Sequence, residues 1–367
     1  MRKIRIVVFE LQKSLGGIET FLINLYQYID REKFQLDFVT SVQDIHELPY
    51  LDKLKGAQIY TIASIKNPIQ YIKDINGIFN NGYDIAHFNK NSAANILPIY
   101  LAERNSNVAK IVVHSHNTNP SLNNKLLNLL HLINRSYIDK NSDKVLACST
   151  EAARWLFSDR KAEIIENGIV TTDFLFSLRK RKQVRRKYGI SEKNRVVGYV
   201  GRFTHQKNLH LLIKVFCELY KENSEFRLLL VGDGPELESL KKQVQTFGLS
   251  DKVIFAGRQT AVADYLSAMD YFVMTSFYEG LPISCVEAQA SGLKVIISDK
   301  ITKEVQILSN VKTFSINQSP KKIATNILNV KIPQCFERID NNKKVLKKYD
   351  VKKMVDSMEK VYSSLID

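Results

Sequence analysis

The sequence predicts two doubly wound α/β domains, each built on a parallel sheet. Three observations predict it. Short apolar runs rich in Val and Ile alternate with stretches of 3.6-residue periodicity almost from end to end, the pattern of βαβ units. The alternation pauses over a polar, basic stretch from about 167 to 194 and then begins again. The length, 367 residues, exceeds the size at which one core usually keeps growing.

The first half offers strands at IRIVVF (4–9), FQLDFVT (34–40), AQIYTI (57–62), DIAHF (84–88), AKIVVHS (109–115) and KVLACS (144–149), with helical patterns such as IETFLINLYQYI (18–29) between them. The second half offers RVVGYV (195–200), RLLLV (227–231), KVIFA (252–256), YFVMT (271–275) and KVIIS (294–298). The expected organisation is therefore a first domain over 1–170, a basic connection over 171–194 and a second domain over 195–350. A last helical pattern, VKKMVDSMEKVYSSLI (351–366), fits either domain by periodicity alone. Two such sheets facing one another imply a ligand in the cleft between them, beyond the carboxyl ends of the strands.

Composition narrows the chemistry. Four cysteines, Cys148, Cys217, Cys285 and Cys335, stand far apart with no C-x-x-C or Cys/His cluster, so neither a disulfide framework nor a zinc site is expected. No apolar run approaches the ~20 residues that span a bilayer, and the basic start is too short for a signal peptide; a cytoplasmic protein is expected. The formal charge of +15 calls for an anionic partner. RKRKQVRRK (179–187) holds seven basic residues in nine and reads either as a patch for that anionic partner or as a plain solvated helix face or linker. It carries no interleaved aromatic residues, so nucleic acid is not expected as a partner.

The strand ends carry the candidate site. KSLGGIETF follows the first strand, and Gly16 and Gly17 are expected to leave N–H groups open to an anion at a helix start. No G-x-G-x-x-G or acidic residue supports a dinucleotide fingerprint. After the fifth strand, His114 and His116 are read as facing opposite sides, which argues against a metal pair; Ser115, His116, Asn117, Thr118 and Asn119 make a polar rim. Arg202 and Lys207, in GRFTHQKN, sit before a helix and form a candidate diphosphate clamp. Further on, FYEGLPISCVEAQASG (277–292) reads as a loop and a helix with Pro282 in its first turn and Gly292 as its stop. No Ser, Thr, Asp or Asn caps it, so the N–H groups near Ile283 and Ser284 lack a side-chain partner. A ligand phosphate could take them. Glu279 and Glu287 flank this position, each able to accept two hydrogen bonds from a vicinal diol; for each, a partly buried salt bridge is the structural alternative.

With these residues in place, the chain resembles the retaining nucleotide-sugar glycosyltransferases of the GT-B fold, the family of bacterial capsule, exopolysaccharide and lipid-glycan enzymes. The resemblance rests on E-G-L-P-I-S-C-V-E, GRFTHQKN and GGIE and runs nearly the full length. It implies that Glu287 holds the ribose, Glu279 the transferred sugar, and Arg202 and Lys207 the diphosphate, assisted by the N–H groups of Ile283 and Ser284. It implies that Gly257–Arg258 faces the nucleobase, that Gly16 and Gly17 meet the phosphate or acceptor, and that His116 is the active-site histidine. Asn167-Gly168-Ile169 matches the family's element near the domain crossover, and the last helix is implied to pack on the first domain. The absence of Asp-x-Asp agrees with a family in which Arg and Lys replace a metal.

The implied function is transfer, with retention, of a hexose or N-acetylhexosamine from a nucleotide sugar to a glycan or lipid-linked glycan, with no cofactor and no metal. UDP is favoured as the carrier because it is common in the family. A GT-B epimerase or polymer synthase would use the same residues; a non-catalytic nucleotide-sugar or glycan binder is the alternative of another class. The apolar pattern KLLNLLHLINR (125–135), with the positive charge, suggests contact with an anionic membrane face; the alternative, a helix packing on the sheet, is slightly favoured.

Overall fold

A computed structural model of the chain describes residues 2–13, 16–117, 124–308, 311–333, 337–338 and 343–366. Thr118, Asn119 and Cys335 lie outside the described residues. The fold separates into two compact units, one formed by Met1–Gly168 with Val351–Asp367, the other by Ile169–Asp350.

The first unit holds β1 (Ile4–Leu11), α1 (Gly17–Tyr28), β2 (Phe34–Thr40), β3 (Ile59–Thr61), α2 (Pro68–Phe79), β4 (Tyr83–Lys90), α3 (Leu97–Glu103), β5 (Val108–Ser115), α4 (Lys125–Asn141), β6 (Lys144–Ala147), α5 (Thr150–Leu156) and β7 (Glu163–Ile164). Its seven strands run parallel in the order β3-β2-β1-β4-β5-β6-β7. The central strands are continuous apolar runs because helices cover both faces: Ile6, Val7, Val8, Ile85, Ala86, Val112 and Val113 are all fully buried. The C-terminal helix, Val351–Ile366, packs against α1 and β1. Its Tyr362 reaches His87 on β4 at 2.7 Å, and Glu359 accepts from the N–H of Asp30 at 2.8 Å.

The second unit opens with α6 (Leu178–Lys187), then β8 (Arg195–Val200), α7 (Leu209–Glu222), β9 (Phe226–Val231), α8 (Leu237–Thr246), β10 (Val253–Gly257), α9 (Val262–Ala268), β11 (Tyr271–Met274), α10 (Ile283–Ala290), β12 (Lys294–Ser298), β13 (Val311–Phe314) and α11 (Pro320–Leu328). Six parallel strands take the order β10-β9-β8-β11-β12-β13. The short strands β7 and β13 were not expected from the sequence; the core of β13 is only its two ends, Val311 and Phe314.

Residues 171–194 are not a connection. They belong to the second unit, and the basic run folds as α6, neither a linker nor a wholly solvated face. Ser177 caps it, accepting from the N–H of Lys180. Arg181 and Arg185 turn inward and donate to the two oxygens of Asp270 at 2.9 and 2.8 Å. Carbonyls of Ala268, Ser191 and Asn194 take further N–H groups of Arg185. Satisfying nearly every guanidinium donor is what lets an arginine be buried.

In each sheet the strand order reverses once, between β1 and β4 in the first and between β8 and β11 in the second. Such reversals open a crevice at the carboxyl edge where ligands of doubly wound sheets bind. In the second sheet β8 and β11 pair only at Val197–Tyr271 and Gly198–Phe272, so their carboxyl ends diverge.

Candidate functional site

Arg202 and Lys207 leave β8, and Glu279 leaves β11, on the two loops bordering that crevice. Their loops are fastened to one another. The N–H of Phe277 donates to Gln206 O at 2.9 Å, and Thr275 Oγ1 donates to the carbonyls of Lys207 and Asn208 at 3.1 and 2.8 Å. Behind the Arg202 loop, the β9–α8 turn presses so close that a side chain at Gly232 would lie 1.9 Å from the Gly201 carbonyl oxygen, and one at Gly234 2.3 Å from that of Phe203. Only glycine permits that approach. Arg202 itself is exposed.

Lys207 and Glu279 are brought together. Lys207 Nζ lies 2.6 Å from Glu279 Oε1, with only 18% and 7% of the two side chains exposed. Gln206 Nε2 holds the neighbouring carbonyl of Tyr278 at 2.9 Å. The ion pair is thus the partly buried salt bridge that was the structural alternative for Glu279, and it lies inside the crevice where a ligand role would also place it.

α10 begins at Ile283, one residue later than expected, with Pro282 at its N-cap instead of in its first turn; as expected it has no side-chain cap, leaving positive dipole at Ile283 and Ser284. Glu287 lies one turn further and is half-buried; burial pushes its carboxyl up to about 7. The neighbouring Cys285 is fully buried, and desolvation raises its thiol well above the ordinary range. Gly257 ends β10 at φ +69°, two strands from β8, and Arg258 beyond it is exposed. The geometry therefore gathers two cations, an uncapped helix start and two carboxylates around one crevice edge: an arrangement able to hold a diphosphate and vicinal diols.

The first unit carries its own polar cluster at the β1/β4 reversal. His116 follows β5; its Nε2 lies 2.8 Å from Asn89 Oδ1. His114 and His116 do not face opposite sides. Their ring centroids are 4.1 Å apart, because residues two apart on a strand share a face. His87 stacks on His114 at 5.6 Å, and Phe21 of α1 packs on both His114 and His116. Desolvation holds His87 and His116 down at about 3 and His114 well below the ordinary range, the neighbouring histidines adding to it for His114 and His116. All three rings are therefore neutral. Among the described residues no group of three His, Cys, Asp or Glu is placed to hold a metal ion.

The Gly16 N–H is not open either. It donates to the carboxylate of Glu19 at 2.8 Å, so Gly16 offers no N–H to an anion; Gly17 begins α1. Asn167 is buried, next to the point where the chain passes from one unit to the other at Gly168–Ile169. Sequence reasoning missed Asn89, Lys90 and Glu10. Lys90 is buried and lies 2.6 Å from Glu10, which sits in a bulge of β1 at φ +88°. The available signal was HFNK at the end of β4, where an apolar strand turns polar without a break.

Comparison with known proteins bears on the family and the fold. Residues 15–173 match the profile of Glycosyltransferase Family 4, and residues 180–361 that of Glycosyl transferases group 1. The EpsF protein of Bacillus subtilis, a glycosyltransferase by name, is 33% identical over 302 residues, covering 79% of this chain and 78% of its own. A UDP-Gal:alpha-D-GlcNAc-diphosphoundecaprenol alpha-1,3-galactosyltransferase of Escherichia coli is 22% identical, covering 99% of this chain and 98% of its own. The Anabaena HepE crystal structure with UDP-glucose superposes with a TM-score of 0.81 at 19% identity, over 98% of this chain and 99% of that one; at that identity the likeness speaks for the fold alone.

Proposed function

The chain belongs to the glycosyltransferases of the GT-B fold, and on that premise we propose that it moves a hexose or N-acetylhexosamine from a UDP-linked donor to a glycan or lipid-linked glycan, with retention and without a metal. The observation that carries the reading is the Lys207–Glu279 pair at 2.6 Å beside the uncapped start of α10. A diphosphate at that helix start takes Lys207 and Arg202 as counter-ions, and Glu279 is then released to the hydroxyls of the transferred sugar. Glu287, one turn along, takes the ribose diol, and Gly257–Arg258 lies on the side of the base.

The reaction breaks the bond between the anomeric carbon and the diphosphate oxygen. Negative charge develops on the leaving phosphate, and preorganised donors aimed at developing charge are usually the largest catalytic contribution. The acceptor oxygen forms its bond on the face the diphosphate leaves, and its proton passes to the leaving phosphate. The two cations supply the electrostatic role that a metal takes in other transferases. His116 contributes a neutral imidazole on the first unit.

The acceptor reading draws on the E. coli relative, whose name states a diphosphoundecaprenol-linked substrate, and points to surface-glycan synthesis. It also draws on α4, which exposes Leu126, Leu129, Leu132 and Ile133 beside the exposed Lys125, a surface suited to an anionic membrane face. The test is transfer of radiolabelled sugar from a panel of UDP-sugars to lipid-linked acceptors, with the product anomer read by NMR. Transfer with inversion would overturn the retaining mechanism. Interconversion of the donor without transfer would favour an epimerase, and binding with no turnover a sugar-nucleotide binder.

A further inference from the structure

We propose that Asn89 is a positioning residue that holds His116 in its Nε2-protonated tautomer and thereby presents the Nδ1 lone pair to a substrate hydroxyl. The proposal rests on the reading of His116 as an active-site residue.

The chain of donors and acceptors leaves one assignment. Asn89 Nδ2 lies 3.1 Å from the carbonyl oxygen of Phe9. A carbonyl only accepts, so the amide NH2 faces Phe9 and the amide oxygen faces the other way. That oxygen is 2.8 Å from His116 Nε2 and can only accept as well. Nε2 therefore carries the proton. In a neutral imidazole Nδ1 is then a bare lone pair, and His116 Nδ1 is buried with no hydrogen-bond partner among the described residues. A buried acceptor left without a donor is costly, and a ligand hydroxyl is a natural donor.

The surroundings hold the relay rigid. Asn89 is 1% exposed, and the backbone N–H of His116 donates to Lys90 O at 3.1 Å. The β1–β4 ladder ends at Phe9 and Phe88, so the Phe9 carbonyl is met by the Asn89 side chain instead of another strand. Immediately after it, Glu10 takes a left-handed conformation in the β1 bulge, pinned by the buried Lys90. Bulges and strained residues of this kind re-aim groups beside functional sites. Phe21 from α1 and His114 from β5 pack against the imidazole, and the desolvation they impose disfavours the imidazolium, so the ring stays neutral.

Protein labelled with 15N-histidine reports the tautomer directly through long-range 1H–15N correlations, with His116→Gln identifying the resonance. The expected result is an unprotonated Nδ1 and a protonated Nε2 at pH 7, unchanged at pH 5. Asn89→Leu should give mixed tautomers and lower kcat by at least about tenfold, with the donor KM altered less than about threefold. Asn89→Asp keeps an acceptor on Nε2 but adds charge, so its kcat should gain an acidic limb as the imidazole becomes protonated near neutral pH. Because the wild-type spectrum needs no substitution, a variant that does not fold leaves the test standing. A protonated Nδ1 or an imidazolium in the wild type at pH 7 overturns the proposal, as does wild-type kcat in both Asn89 variants. Full activity in His116→Ala overturns instead the reading of His116 on which it rests, and the spectra then show whether Asn89 still holds the ring.

Discussion

Glu287 and Glu279 flank one helix start in different electrostatic states. Glu279 is paired with Lys207, whereas burial lifts Glu287 from an ordinary 4.5 to about 7. Between those values the folded protein keeps a proton that the unfolded chain releases. This carboxyl therefore favours folding at low pH, and the contribution is lost as pH rises from 4.5 to 7. If its ionised form grips a ribose diol, UDP affinity should fall about tenfold per pH unit below 7. Titration calorimetry checks this against Glu287→Gln, which removes that limb and leaves only the titration of the phosphate; identical pH profiles would sink the assignment. Arg202 and Lys207 are tested together. Either alanine variant should weaken UDP by ~1.5–3 kcal/mol through a lost charge-assisted contact. Lys207→Ala also strands the buried carboxylate of Glu279, so it should lower the melting temperature as well. Glu279→Gln should leave UDP affinity within about threefold and lower kcat instead; equal UDP loss from Glu279→Gln and Glu287→Gln would contradict that division.

At the scale of elements, most strands were legible because doubly covered parallel strands are unbroken apolar runs; β2 and β8 lie where FQLDFVT and RVVGYV stand. α6 was not legible. Its composition reads as solvent-facing, and nothing in RKRKQVRRK announces that Arg181 and Arg185 find Asp270 at separations of 89 and 85 residues. The same limit hid the Gly16–Glu19 contact, since GGIE shows glycines but not which acceptor they meet. The histidine faces were legible, but period-two geometry was misapplied to His114 and His116. The α6 packing can be tested through Asp270, whose carboxylate also accepts from the N–H of Val196 at 2.7 Å. Asp270→Ala leaves two inward arginines without their carboxylate and should cost ~3–5 kcal/mol, read as a lower midpoint in urea. UDP binding at low temperature should persist, because the network lies away from the crevice loops. Unchanged stability would mean that the buried arginines are satisfied by carbonyls alone.

At the scale of the molecule, the fold repeats one plan twice, and that repetition is why the candidate site was readable: each reversal of strand order falls where the motif residues stand. The charge of +15 was the least informative whole-chain feature, since α6 spends part of it internally. If Arg202 and Lys207 replace a cation, transfer should continue in EDTA; complete loss restored by manganese or magnesium would refute metal independence. The remaining charge bears on α4. Leu129 and Leu132 are 54% and 59% exposed, so replacing both with Glu touches no core and should leave the melting temperature unchanged. A membrane contact made by apolar insertion with basic attraction predicts binding to phosphatidylglycerol vesicles and little binding to phosphatidylcholine. It should weaken as salt rises through the range where the Debye length shrinks to about 8 Å. Leu129→Glu with Leu132→Glu should abolish cosedimentation by adding like charge and removing apolar area together, while UDP affinity stays at the wild-type value. Cosedimentation of that double variant at wild-type levels would show that the net charge alone holds the protein to the vesicle, and that the exposed face of α4 serves something other than the lipid surface.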